Sequence, residues 1–206
     1  MATSLAILDY GMGNLHSAAK ACEHVAPNTH ITVTQSPEII GDADKVLFPG
    51  VGAISACMQG LKDHNLLDAL QQALAEKPVL AICIGMQALM RFSDENEGTD
   101  CLNFFDAQVE NLPLRAGYKI PHMGWNQVTQ TQQHPLWHNI PDQSRFYFVH
   151  SYACLNTESA TTIGITEHSA HFSSAVAKDR VCAVQFHPEK SHAMGLQLLK
   201  NFIEHI

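Results

Sequence analysis

The chain has 206 residues, which suit one compact domain or at most two small ones. An apolar fraction of 46 % excludes bulk disorder. Twelve basic against twenty acidic residues give a net charge of −8, which excludes a general nucleic-acid binder but leaves room for a local site for a phosphorylated metabolite.

The first half alternates strand and helix. Leu5–Leu8 reads as a buried strand that runs into a glycine turn at Gly11 and Gly13. Asn14 is placed to cap a helix over Leu15–Val25, with apolar residues at helical spacing and Pro27 beyond its end. Ile31–Val33 and Val46–Phe48 are the next strands, the latter stopped by Pro49-Gly50-Val51-Gly52. Ile54–Glu76 is helical with a break near Asn65. Pro78 opens the strand Val79–Ile82, Cys83 ends it, and Gly85–Phe92 reads as a helix. Continuous apolar strands alternating with helices predict a parallel sheet covered on both faces.

The second half reads as shorter, partly antiparallel strands: Ala107–Val109, Lys119–Pro121, Asn126–Val128, Arg145–Val149, Thr162–Ile165 and Val181–Val184. Asp94–Asp100 reads as a solvated acidic turn, and Leu196–Ile206 as a closing helix. The expected organisation is α/β, one domain over 1–206. Six scattered cysteines without CxxC, no secretory signal and no apolar run of membrane length place the chain in a reducing cytoplasm. The histidine pairs His134/His138 and His168/His171 lack a metal-site pattern, so no metal is expected.

Three segments carry candidate chemistry. Cys83 lies where a strand turns sharply into a helix, the setting of a nucleophile elbow, and Gly85 lets that helix approach the strand. A cysteine here also reads as a small buried hydrophobe. His187-Pro188-Glu189 follows the strand Val181–Val184, and residues two apart in extended backbone share a side. Glu189 could then orient His187 as a base toward a thiol. The glycines flanking Val51 could turn a peptide N–H toward a developing oxyanion.

Cys83 in its elbow and His187-Pro188-Glu189 resemble the catalytic triad of the class I glutamine amidotransferases. Asp9-Tyr10-Gly11-Met12-Gly13-Asn14-Leu15, Pro49–Gly52, Pro121-His122-Met123-Gly124-Trp125-Asn126 and Gln185–Ser191 resemble the glutaminase subunits of imidazole glycerol phosphate synthases, over essentially the whole chain. The resemblance implies a flavodoxin-like open mixed sheet with helices on both faces. It implies Cys83 as nucleophile, His187 as proton shuttle and Glu189 as its orienter, with Val51 and Ile84 as oxyanion donors. It places glutamine against Gly50, Gly52, Gln87, Ser151 and Tyr152. Ammonia would pass to a (β/α)8-barrel cyclase subunit that makes imidazole glycerol phosphate and aminoimidazole carboxamide ribotide in histidine biosynthesis, with no cofactor. Contact with that partner is implied at Tyr10, Met12, Asn14, Met123, Trp125, Asn126 and Tyr147. Trp125 also reads, on its chemistry alone, as a core residue.

The chain departs from the family pattern at Ala81, where glycine usually opens the elbow, at Ala183-Val184, and across Asp100–Ala107. Competing readings are the glutaminase subunit of another ammonia-channelling synthase, a free-standing thiol hydrolase, and a non-catalytic regulatory protein on the same fold. The last is expected to have lost Cys83, His187 or Glu189, and all three are present.

Overall fold

The computed structural model describes residues 3–155, 157–158 and 160–206. The first half runs β1 (Ser4–Leu8), α1 (Leu15–Val25), β2 (His30–Thr34), α2 (Pro37–Asp42), β3 (Lys45–Gly50), α3 (Ile54–Asp63), α4 (Leu67–Glu76), β4 (Val79–Cys83) and α5 (Ile84–Ala88). The second runs β5 (Phe92–Ser93), β6 (Thr99–Asp100), β7 (Gln108–Asn111), β8 (His122–Gln127), β9 (Thr129–Gln130), β10 (Arg145–His150), β11 (Tyr152–Cys154), β12 (Thr162–Glu167), β13 (His171–Lys178), β14 (Val181–Val184) and α6 (His192–His205).

The strands β2-β1-β3-β4-β14 pair in parallel, so the last strand of the chain completes the sheet begun by the first. β13 then pairs antiparallel with β14 and leads through β11 to β7, β5 and β6. β4 and β14 are buried along their whole length, as the apolar runs require when both faces are covered. β8 and β10 form a separate antiparallel ribbon. The carboxyl ends of β3, β4 and β14 meet at one edge, where open α/β sheets bind ligands.

Several boundaries differ from the sequence reading for local reasons. α2 was not anticipated; it has six residues, opened by Pro37 with Ser36 Oγ accepting from Ile39 N. Asn14 occupies the N-cap of α1, but only its backbone carbonyl caps, accepting from Ala18 N at 3.1 Å. α5 stops at Ala88 rather than Phe92. Residues 101–105 fold back, and their N–H groups take the carbonyls of Ala88, Leu89, Met90 and Arg91 at 2.8–3.1 Å. The atypical 100–107 segment therefore serves as the C-terminal cap of α5. Lys119–Pro121 is irregular rather than a strand, and β8 begins only at His122. α6 begins at His192, four residues before the expected Leu196.

The break between α3 and α4 falls where expected, at Asn65 in a left-handed conformation (φ 56°). Ala81 is fully buried in β4 beside Ala183 of β14, so two small residues face each other there.

Gly85 is a packing requirement of the elbow. A Cβ built on it collides with the backbone carbonyl of Phe48 in β3. Gly85→Ala is expected to destabilise the fold by about 1–3 kcal/mol, since backbone on both sides must move. Chemical denaturation reads this as a lowered midpoint; an unchanged midpoint would contradict it.

Candidate active site

Cys83 ends β4 with φ 56° and ψ −109°, a conformation costly for any residue with a side chain. Parallel pairing with β3 sets it beside Gly50. The turn lifts the thiol out of the sheet at the start of α5. Ile84 is the first helical residue, so its N–H has no intrahelical acceptor and is free to face a ligand.

His187 comes from the segment after β14 and is fixed from both ends. Its N–H donates to the Tyr147 carbonyl of β10 at 2.9 Å, and its carbonyl accepts from Ser191 Oγ at 2.6 Å. Ser191 Oγ in turn accepts from Tyr147 N at 3.0 Å. His187 and Glu189 meet through a 3₁₀ turn over Pro188–Lys190, and not along the extended strand the sequence suggested. Nδ1 lies 2.7 Å from Glu189 Oε1. A carboxylate only accepts, so Nδ1 carries the proton and Nε2 is left to work toward the thiol. Nε2 is buried and makes no hydrogen bond of ordinary geometry. Burial opposes a charged ring, but the Cys83 thiol and the Glu189 carboxylate outweigh it and push His187 up to about 9.

A cavity of about 390 Å³ opens over this pair. Val51, Gly52, Cys83, Ile84, Gln87 and His187 line it, together with His150, Ser151 and Tyr152. Gly50 lies behind this wall, not in it. A Cβ there would run into the Tyr10 hydroxyl. Gly52, at φ 91°, is part of the lining, and a Cβ there would run into the Met12 methyl.

The sequence reading passed over Glu95 and Lys190, which add opposite charges to the cavity lining. Glu95 belongs to the segment read as a solvated turn. Its Oε2 instead accepts from Ile54 N at 2.8 Å, capping α3 and anchoring the loop that carries Val51. These residues are 41 apart in sequence, so no local spacing announces the contact. Gln185 is a further buried member of the site. It accepts from Gln87 Nε2 at 2.9 Å and donates to Cys83 Sγ at 3.7 Å.

The expected partner-contact residues divide. Met123 and Trp125 are 63 % and 42 % exposed on β8, too open for core residues of this size. Trp125 stacks on His192 at 5.1 Å and meets Tyr147 edge-on at 6.2 Å. Asn14 is exposed, while Asn126, Tyr147 and Met12 are half-buried. Tyr10 is the correction: at 1 % exposure its side chain is sealed against Phe48 and Gly60, and offers a partner nothing.

The shifted His187 has a consequence for stability. A raised folded-state value stabilises the protein where the ring is protonated. That increment is complete below the ring's ordinary 6.5 and is lost as the pH rises through about 9. His187→Gln is therefore expected to flatten the pH dependence of the denaturation midpoint across this window. A variant with the parental slope would contradict the assignment.

Residues 6–206 match the family described as "Glutamine amidotransferase class-I". The "Imidazole glycerol phosphate synthase subunit HisH" of Acinetobacter baylyi is 52 % identical over 203 residues, covering 98 % of each chain. The protein of the same name from Nitrosococcus oceani is 50 % identical over 202 residues, covering 98 % of this chain and 97 % of its own. Among solved structures, one titled "Crystal structure of glutamine amidotransferase" superposes with a TM-score of 0.73 over 97 % of both chains at 14 % identity, which supports the fold alone. With the family matched over nearly the full length, the chain belongs to the class-I glutamine amidotransferases.

Proposed function

We propose that the chain is the glutaminase subunit of an imidazole glycerol phosphate synthase, hydrolysing L-glutamine to glutamate and ammonia for histidine biosynthesis. The observation that carries the chemistry is the strained Cys83 turn beside a buried His187–Glu189 pair in one cavity. Relatives about half identical over nearly their whole length carry that subunit's name.

In this reading the Cys83 thiol passes its proton to His187 Nε2, and the resulting thiolate attacks the side-chain amide carbon of glutamine. The carbonyl oxygen gains negative charge and meets the N–H groups of Val51 and Ile84. Protonated His187 gives its proton to the departing nitrogen, so ammonia leaves and a thioester remains. Water then attacks the thioester, His187 takes its proton, and glutamate is released. Glu189 keeps the ring oriented throughout. Glu95 and Lys190 supply charges opposite to the α-ammonium and α-carboxylate of the substrate. Gln87, Ser151 and Tyr152 complete the pocket.

The acceptor of the ammonia is a (β/α)8-barrel cyclase subunit docked on the face of Met123 and Trp125, near Asn126 and Tyr147. Exposed Met and Trp on a rigid ribbon suit an interface core. No helix among the described residues is long and apolar enough to cross a membrane.

Cys83→Ala is expected to abolish glutamine-dependent synthesis by the complex while leaving synthesis from added ammonium intact. Loss of both activities would contradict a purely nucleophilic role. Trp125→Ala is expected to weaken partner binding by about 2 kcal/mol or more, the scale of an interface hot spot. An unchanged Kd by calorimetry would place the interface elsewhere.

A further inference from the structure

An unbroken series of hydrogen bonds runs from the exposed ribbon to the reactive sulfur. The β8–β10 register sets His122 directly opposite His150, and His122 Nδ1 lies 2.9 Å from His150 Nε2. His150 Nδ1 lies 2.8 Å from the Tyr152 carbonyl. That carbonyl also accepts from Gln87 Nε2 at 3.0 Å, which joins the series to Gln185 and Cys83. At the outer end, Asn126 Nδ2 lies 3.2 Å from His122 Nε2 and 2.8 Å from the Glu167 carbonyl.

The chemistry of the end groups fixes the direction of every bond. A carbonyl only accepts, so His150 Nδ1 carries the proton and its Nε2 accepts. His122 Nδ1 must then donate, and its Nε2 accepts from the Asn126 amide. Each ring donates once and accepts once, as only a neutral imidazole does. Burial keeps both rings neutral, aided on His122 by His150 and His168, and on His150 by His168 and His187. His122 is held down to about 3 and His150 to about 4, although the Tyr152 carbonyl pulls the latter upward. Packing locks the geometry further. His122 stacks on His168 at 4.1 Å and on Phe148 at 4.8 Å, and the His168 ring is tied to the Lys119 carbonyl at 2.9 Å.

We propose that His122 and His150 are positioning residues, which hold the Tyr152 carbonyl and, through Gln87 and Gln185, the Cys83 thiol in register with the ribbon face that bears Met123 and Trp125. The inference rests on the glutaminase reading and deepens it. His122 lies outside the cavity; His150 is part of its lining, but its two ring nitrogens are turned to His122 and the Tyr152 carbonyl, not to Cys83 or His187. Their work is to make the pocket wall and the sulfur respond as one unit with the ribbon, so that a partner seated on the ribbon bears on the thiol.

The test compares His122→Phe with His122→Gln in the complete complex. Phenylalanine keeps the stacked ring and removes both hydrogen bonds; glutamine restores a donor and an acceptor. Glutamate release at saturating glutamine is expected to fall about tenfold in kcat for His122→Phe, with KM changed less than about twofold. His122→Gln is expected to recover most of that loss. Synthesis from added ammonium, unchanged in both, reports that the complex is assembled. Parental kcat in His122→Phe would overturn the proposal. So would equal losses in both variants, since ring packing alone would then explain them. If His122→Phe does not fold, Asn126→Ala at the half-buried outer end takes its place at saturating partner: a lower kcat supports the proposal and parental kcat overturns it. A parent complex with no Cys83-dependent glutamate release would instead contradict the glutaminase reading, and the proposal with it.

Discussion

The architecture turns on a single close approach. Gly85 brings the start of α5 against the Phe48 carbonyl, where no Cβ would fit. That contact forces the chain to reverse within one residue, and Cys83 carries the resulting left-handed backbone. Strain of this kind, of order 1–3 kcal/mol, persists only where the surroundings over-determine it. Here β4 is clamped between β3 and β14 and buried along its length, so the turn cannot relax into the sheet. The same reversal exposes the Ile84 N–H and raises the sulfur toward the cavity. The placement of the sulfur and of the Ile84 N–H thus share one cause.

The His187–Glu189 pair is delivered from the far end of the chain. β14 sits beside β4, so the segment that follows it emerges next to the thiol. Tyr147 of β10 then holds His187 and Ser191 through its backbone. β10 also carries His150 and pairs with β8, whose Met123 and Trp125 face outward. One strand therefore touches the base, the pocket wall and the exposed ribbon. A displacement of the ribbon would therefore bear on the same strand that holds His187.

How far the sequence could be read follows from the range of the interactions. β1, β3 and β4 are short apolar runs that each lead into a glycine-containing turn, and were legible as parallel strands; β14 was legible only as a short strand among partly antiparallel ones, because its parallel place beside β4 is set by tertiary pairing. The candidate residues Cys83, His187 and Glu189 were legible too, because the elbow and His187-Pro188-Glu189 are each local patterns, and the fold brings them together. β13 was missed since its centre, Phe172-Ser173-Ser174-Ala175, alternates poorly. Its serines are buried only because β12 supplies Thr162 and Thr166 hydroxyls at 3.0 and 2.8 Å. Glu95 was hidden in an acidic turn, its partner Ile54 set by tertiary packing. Tyr10 misled in the opposite sense: the family resemblance implied a contact residue, while the fold seals its side chain beneath Gly50. The His122–His150 pair depends on the register of two strands far apart in sequence, which no local pattern encodes.

The most direct test of the account is the covalent state of Cys83 during turnover. The complex would be quenched in acid seconds after mixing with glutamine, and its peptides weighed. The account predicts a γ-glutamyl group on the peptide containing Cys83, labile to hydroxylamine and absent from the peptides holding the other five cysteines. Glutamate release with no such adduct at Cys83, under conditions that trap a thioester, would contradict it.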